Sequence, residues 1–172
     1  AIGDYALDAN TTAHYNTAIG SHSLGANTTG TYNTAVGASA GNANTTGNYN
    51  TFMGGLTGDA ITVGGANVAI GLSALTADTA GSYSVAIGMQ ALMTQNFTTA
   101  ASSYNVAVGH SAGSAVTTGL NNTIIGALAG YALTDADRNV AIGYQALTAD
   151  DLGSRTIAVG AGAAGQQNYA SA

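Results

Sequence analysis

The sequence predicts an all-β fold, a parallel β-solenoid, from three observations. A five-residue phrase, which reads NVAIG at 67–71, recurs every 17 residues with one 21-residue step. The chain contains 25 Gly and neither Pro nor Cys. Only 2 basic and 8 acidic side chains are present, so long helices supported by ion pairs are not expected. A fixed period near 20 residues is typical of solenoids, whose coils bury their apolar side only when they stack.

The copies of the phrase define the coils and a single domain. Their central residues fall at 1, 18, 35, 52, 69, 86, 107, 124, 141 and 158. We therefore expect ten coils in one repeat domain over residues 1–172. Four extra residues within 94–103 account for the long step, and we expect them to bulge from the wall with Phe97 at the tip.

Each phrase has the pattern of a short strand. A Thr, Val or Ile precedes the central residue, and an Ile, Val or Met follows it. Because side chains alternate along a strand, both flanking residues share one face, and we expect that face, with Ile70 and Ile87, to form the core. The central residue, usually Ala, then points outward. Contact with another chain would favour a small residue there, so Ala69 and Ala86 are candidates for an oligomer face; simple exposure to solvent is the alternative.

Two further columns are expected to be structural. A Gly ends every phrase, which indicates a corner with positive φ or a close neighbouring backbone. An Asn precedes most strands and is expected to cap a turn and to stack with its equivalents as an amide ladder. Ala, followed by Leu or Gly, comes after the corner and predicts a second short strand in each coil. The representative positions of the two columns are Gly3, Gly20, Gly37, Gly71, Gly88, Asn16, Asn33 and Asn67.

Aromatic residues form the most suggestive exposed column. Rings at equivalent positions of adjacent coils should lie about 5 Å apart, at the strand spacing. The column is either a stacked structural element or a platform for a carbohydrate, since a flat ring with a polar tip suits a sugar face. Phe97 is a further candidate contact on the insertion. The column residues are Tyr15, Tyr32, Tyr49, Tyr83 and Tyr104.

The residue types that carry catalysis or bind metals are scattered. His14, His22 and His110 occupy different positions of the coil, and no nucleophile-elbow motif is present. We therefore predict a protein that is not an enzyme and has no cofactor. The Asp residues between 135 and 151 leave calcium binding open as a hypothesis. Capping of turns by Asp, with a weak Asp–Arg network, is the favoured interpretation.

Charge and composition exclude some partners and favour a location. The net charge is −6, and Arg138 and Arg155 are the only side chains that could neutralise phosphates, so nucleic acid is not an expected partner. The sequence contains no run of 18 apolar residues, so we do not expect a membrane span. The shortage of charged and oxidisable side chains favours an extracellular, cell-surface or virion location.

The recurring phrases NVAIG and NTAIG resemble the head repeats of trimeric autotransporter adhesins and similar repeats of phage and viral tail fibres. The resemblance covers the whole chain. It implies a β-roll that associates side by side as a homotrimer and supports attachment to a host or surface, with a glycan or protein as partner.

Two other functions are left open. One is a subunit that stacks end to end into an extracellular filament. The other is an ice-binding solenoid, because Thr11, Thr28 and Thr45 begin a column of Thr residues that continues along the chain.

Overall fold

The computed structural model describes residues 1–166, and residues 167–172, the end of the predicted domain, lie outside the described residues. Eleven short strands and no helix form within residues 1–166. The strands are β1 (Thr17–Ile19), β2 (Thr34–Val36), β3 (Thr51–Met53), β4 (Val68–Ile70), β5 (Gly81–Ser82), β6 (Val85–Ile87), β7 (Ala101–Ser102), β8 (Val106–Val108), β9 (Thr123–Ile125), β10 (Val140–Ile142) and β11 (Ile157–Val159).

Nine strands stack into one parallel sheet in the order β1-β2-β3-β4-β6-β8-β9-β10-β11. Equivalent residues pair directly, as Ala18 does with Ala35, so each strand is offset from the next by one repeat. The register continues across the long step, where Val85 pairs with Val106. The prediction of a parallel β-solenoid with a 17-residue period is confirmed. The first copy of the phrase adds only a bridge from Ile2 to Ile19.

The Gly column forms the corner that follows each strand. Gly71 illustrates both reasons for Gly: its φ is 124°, and a Cβ on it would lie 2.6 Å from the carbonyl carbon of Gly88 in the next coil. No side chain can satisfy both constraints, because the obstacle is backbone and the conformation is one that L-residues rarely adopt. The corner glycines thus set the distance at which successive coils stack.

The side chains of each strand point the opposite way from what the sequence predicted. The central Ala residues point inward, and Ala69 and Ala86 are completely buried within the single chain. The flanking residues point outward, with Ile70 and Ile87 half-buried and Ile19 40% exposed. The expectation of an Ile/Val core with an Ala oligomer face was therefore wrong. Leu residues such as Leu75, from the segment after the corner, occupy the space opposite the sheet and leave room only for a small side chain.

Large central residues are accommodated by an exchange of volume. Phe52 replaces the usual Ala, and Gly41 and Gly58 stand where other coils carry Leu. A Cβ on Gly41 would come within 2.5 Å of the Phe52 ring, and a Cβ on Gly58 would also overlap that ring. The second large central residue, Ile124, faces Gly113 in the same way. The interior stays close-packed because a larger side chain on one wall faces a smaller one on the opposite wall.

The second apolar element is a run of turns, and the expected second strand is absent from the regular coils within residues 1–166. His22 and Leu24 take φ values of 57° and 49°, which interrupt an extended conformation. Hydrogen bonds between coils nevertheless continue, since the Leu24 N–H donates to the Ala40 carbonyl at 3.0 Å. Among the described residues, one extra strand pair, β5 with β7, joins the two successive coils that precede β6 and β8.

The predicted Asn ladder is present and buried. The Asn33 N–H donates to Asn16 Oδ1 at 2.9 Å, and the Asn50 N–H donates to Asn33 Oδ1 at the same distance. The Asn33 side-chain amide donates to the carbonyl of Gly47 at 2.8 Å. Each Asn thus satisfies backbone groups of the neighbouring coil, which removes a cost that buried amides would otherwise impose.

Candidate functional site: the outer columns of the solenoid

The outer surface of the solenoid is built from columns, because equivalent residues of successive coils lie directly above one another. Two columns stand out by their chemistry. The tyrosine column consists of the positions Tyr15, Tyr32, Tyr49, Ala66, Tyr83, Tyr104, Asn121, Arg138 and Arg155. The sheet face consists of the first and last residues of the nine strands of the large sheet.

The rings of the tyrosine column stack as the sequence predicted. Ring centroids are 4.8 Å apart for Tyr15 and Tyr32, 5.3 Å for Tyr32 and Tyr49, and 5.2 Å for Tyr83 and Tyr104. Interplanar angles of 9° to 15° show that the rings are nearly parallel. All five rings are at least half exposed. The column therefore presents ring edges and hydroxyl groups to solvent while ring faces contact each other.

The backbone of the tyrosine column is the same whether or not a ring is present. Tyr49 and Tyr83 have φ values of 61° and 64°, and Ala66, between them, has a φ of 57°. The Ala66 N–H donates to the Asn48 carbonyl at 2.8 Å, and the Tyr83 N–H donates to the Gly65 carbonyl at 3.1 Å. Ala66 therefore lies in register in the column and only lacks a ring. Our sequence analysis did not identify this position, although alignment of the copies reveals it.

The sheet face is uncharged and largely apolar. In β4, β6 and β8 both outward residues of each strand are Val or Ile, and the flanking strands contribute Thr, Met, Val and Ile. Met53 is 42% exposed and Ile125 is 39% exposed. Nine strands at the usual spacing of about 4.8 Å make this face about 38 Å long. An uncharged and largely apolar surface of this length is typical of an interaction surface.

The insertion folds back into the wall, so the prediction of Phe97 as an exposed tip was wrong. Phe97 is only 8% exposed, and its N–H donates to Asp78 Oδ1 at 3.0 Å. Gln95, also buried, donates to Asp78 Oδ2 at 2.7 Å and to Ser84 Oγ at 2.8 Å. Gln95 Oε1 accepts from Asn105 Nδ2 at 2.9 Å. Gln95 therefore fills the interruption that Ser84 makes in the Asn ladder.

The exposed part of the insertion is short and polar. Its exposed run is Thr98, Thr99 and Ala100, and Ser102 is also exposed. The residues that follow, Ala101 and Ser102, return to the solenoid by pairing with Gly81 and Ser82. Phe97 is thus a buried anchor of the insertion, because its apolar ring gains more from burial than from exposure at a tip.

The acidic residues act on neighbouring backbone. Asp150 Oδ1 accepts from the Gly153 N–H at 2.9 Å, as predicted for a turn cap. Asp78, which was not part of that prediction, accepts in the same way from the Gly81 N–H at 3.0 Å. Asp137 Oδ1 accepts from the Leu120 N–H of the preceding coil at 2.7 Å. Over residues 1–166, no group of three or more His, Asp, Glu or Cys side chains is arranged to hold a metal ion.

The Thr column directs its hydroxyl groups along the solenoid. Thr28 Oγ1 donates to the Thr45 carbonyl at 3.1 Å, and Thr45 Oγ1 donates to the Thr62 carbonyl at 3.0 Å. The same bond recurs toward the other end, from Thr117 to Thr134 at 3.1 Å. The Thr hydroxyl groups thus form hydrogen bonds between adjacent coils.

A shallow groove runs along the outside of the turns. Its volume is about 430 Å³, and its lining includes Gln90, His110, Leu128 and Tyr131. The described part of the chain contains no helix that is long and apolar enough to span a membrane. Comparisons of the chain with protein-family models, with curated proteins and with solved structures gave no match.

Proposed function

We propose that the chain is a non-enzymatic structural segment of a fibre, in an extracellular or virion appendage such as an adhesin or a tail fibre, which supports attachment to a host or surface. The observation that carries this proposal is the combination of a uniform solenoid with a long apolar sheet face. The first feature supplies a stiff element, and the second supplies a surface on which identical chains can associate.

Stiffness follows from how the coils are connected. Backbone, Asn and Thr groups of each coil bond to equivalent groups of the next, at a separation of 17 residues. Deformation between two coils would disturb several of these bonds at once. The corner glycines add a backbone contact that allows little closer approach. A structure of this kind transmits force along its axis, as a fibre requires.

The sheet face supports association with further copies of the same chain. Its outward residues repeat at every strand and include no charged side chain, so the face of one chain matches that of another along its length. Burial of Val and Ile side chains is favourable by about 25 cal/mol per Å². The net charge of −6 lies outside this face and opposes association elsewhere. The resemblance to adhesin heads implies three chains, which makes a homotrimer the proposed assembly.

The experiment is a mass measurement on the native particle and on a variant of the sheet face. Ile70→Asp combined with Ile87→Asp places two charges at the centre of the face, and we expect the assembly to dissociate to single chains. Light scattering after size exclusion gives the mass, and circular dichroism confirms that β structure is retained. The matched control, Thr29→Asp with Thr46→Asp, adds the same charge at exposed turn positions and should leave the mass unchanged.

The outcome discriminates between assemblies. A native mass of three chains that falls in the Ile variant supports the proposal, and electron microscopy of the same sample should show short discrete rods. A native mass of one chain, or a mass that the Ile variant leaves unchanged, contradicts the sheet face as the interface. Long threads of the isolated chain would favour the filament subunit.

A further inference from the structure

The tyrosine column contains a gap that has the dimensions of one ring. Tyr49 and Tyr83 lie two coils apart, so their ring planes are separated by about 10 Å, twice the usual strand spacing of ~4.8 Å. Stacked rings elsewhere in the column have centroids 4.8 to 5.3 Å apart. A single flat ring placed midway would therefore contact both tyrosines at the separation that the column itself uses.

The gap arises from the side chain alone. Ala66 keeps the φ and the hydrogen bond of a column tyrosine, so a ring was not lost through a change of backbone path. Gly65 precedes Ala66, where the two preceding coils carry Thr31 and Asn48. The floor of the gap is thus backbone and one methyl group.

Of the two rings that border the gap, Tyr49 exposes more surface than a ring stacked on both sides. Tyr32, which has a tyrosine on each side, is 50% exposed. Tyr49, which has a tyrosine on one side and Ala66 on the other, is 64% exposed. The additional exposed area of Tyr49 agrees with an unstacked face, whereas Tyr83, which also borders Ala66, is 50% exposed, no more than Tyr32. An aromatic face left open to water is a favourable contact for a second ring.

The surroundings of the gap are uncharged. Segments 46–51, 63–68 and 80–85 contain no charged residue. The coil that lacks the ring also carries Val63 and Val68, where the three preceding coils carry Thr at both positions. Val63 is 50% exposed. An uncharged ligand ring is therefore favoured over a charged one.

We propose that the gap between Tyr49 and Tyr83 is a binding slot for one neutral planar aromatic ring. The ring completes the stack across Ala66, and it belongs to a free small molecule or to an aromatic side chain of a partner. This inference is independent of the proposed fibre function, since it depends only on the spacing of the coils and on the two exposed rings.

Saturation-transfer NMR on the native protein tests the slot with defined probes. The probes are p-cresol for a free ring, the peptide acetyl-Gly-Tyr-Gly-amide for a side chain, and methyl β-glucoside for a ring that is not aromatic. We expect transfer to the aromatic probes and little to the glucoside. The stronger aromatic signal identifies the source, and a glucoside signal equal to both would overturn the aromatic assignment.

Moving the gap gives the decisive comparison. Ala66→Tyr completes the column and should abolish the signal, with circular dichroism as the test of folding. Tyr32→Ala in the Ala66→Tyr background opens an equivalent gap between Tyr15 and Tyr49, and the signal should return. Loss of signal in the first variant without its return in the second would overturn the proposal.

Single substitutions measure the contribution of each face. Tyr49→Ala removes one wall of the slot and should weaken binding about 2- to 10-fold, the effect of one stacking contact. Tyr15→Ala makes the same change at a ring that does not border the slot and should leave binding unchanged. Equal effects of the two variants would contradict the slot.

Discussion

The two Gly columns of this solenoid serve different purposes. The corner Gly is present in all ten copies of the phrase, whereas the Gly that follows the buried Ala alternates with Leu. At the corner, the obstacle to a side chain is the backbone of the next coil. In the interior, Leu75 and Gly58 share nearly the same φ, 53° and 56°, so Gly58 is needed for space alone. Invariance in a repeat therefore marks a backbone contact, and variation marks a side chain that adapts to its neighbour.

The largest effect is expected at the corner. Gly71→Ala combines a strained φ, at about 1–3 kcal/mol, with overpacking against backbone, at about 1–3 kcal/mol or more. Urea unfolding followed by circular dichroism should show a loss of about 5 kcal/mol, near the upper end of these ranges. Gly160→Ala is the matched control because its φ of 128° is close to that of Gly71, while the nearest atom to its added Cβ lies 3.8 Å away, and its loss should be about 1–3 kcal/mol. Equal losses would remove the backbone contact as the cause.

A cavity in the interior should have the next largest effect. Phe52→Ala removes a fully buried ring that faces Gly41 and Gly58, so no neighbouring side chain can fill the space. The expected loss of unfolding free energy is about 4 kcal/mol. The same urea experiment measures it. A loss below about 1 kcal/mol would indicate that the coil collapses around the smaller residue.

The smallest effect is expected when both walls change together. Gly58→Leu alone should destabilise by about 3 kcal/mol through overlap with the Phe52 ring. Gly58→Leu with Phe52→Ala restores the Ala and Leu combination of the coil that contains Ala69 and Leu75, and its loss should be only about 1–2 kcal/mol. Additive losses would show that the two positions do not compensate each other.

Much of the architecture could be predicted from the sequence. The period, the strand positions, the corner and the Asn ladder follow from residues that recur in register. The stacking of the tyrosines follows from the same register, because equivalent residues of parallel strands must lie one spacing apart.

Alternation alone could not predict which face of the strands points into the interior. Alternation separates two faces and does not say which one is inside. The sequence feature that would have decided it is the size relation between Phe52 and the two glycines it contacts, Gly41 and Gly58. Residues that vary inversely in size contact each other, and this relation places the central column inside. Phe97 was assigned to a tip because an insertion was assumed to project, whereas Asp78 and Gln95 provide buried partners that hold it inward.

The return of the register after the insertion has a practical consequence. Val106 resumes pairing with Val85 although four more residues separate them than in a regular coil, so the solenoid stacks independently of the length of this loop. Thr98, Thr99 and Ala100 are exposed, and the strand pair of β5 and β7 closes the loop behind them. We expect these three positions to tolerate a grafted peptide, which would then be displayed on the side of the solenoid.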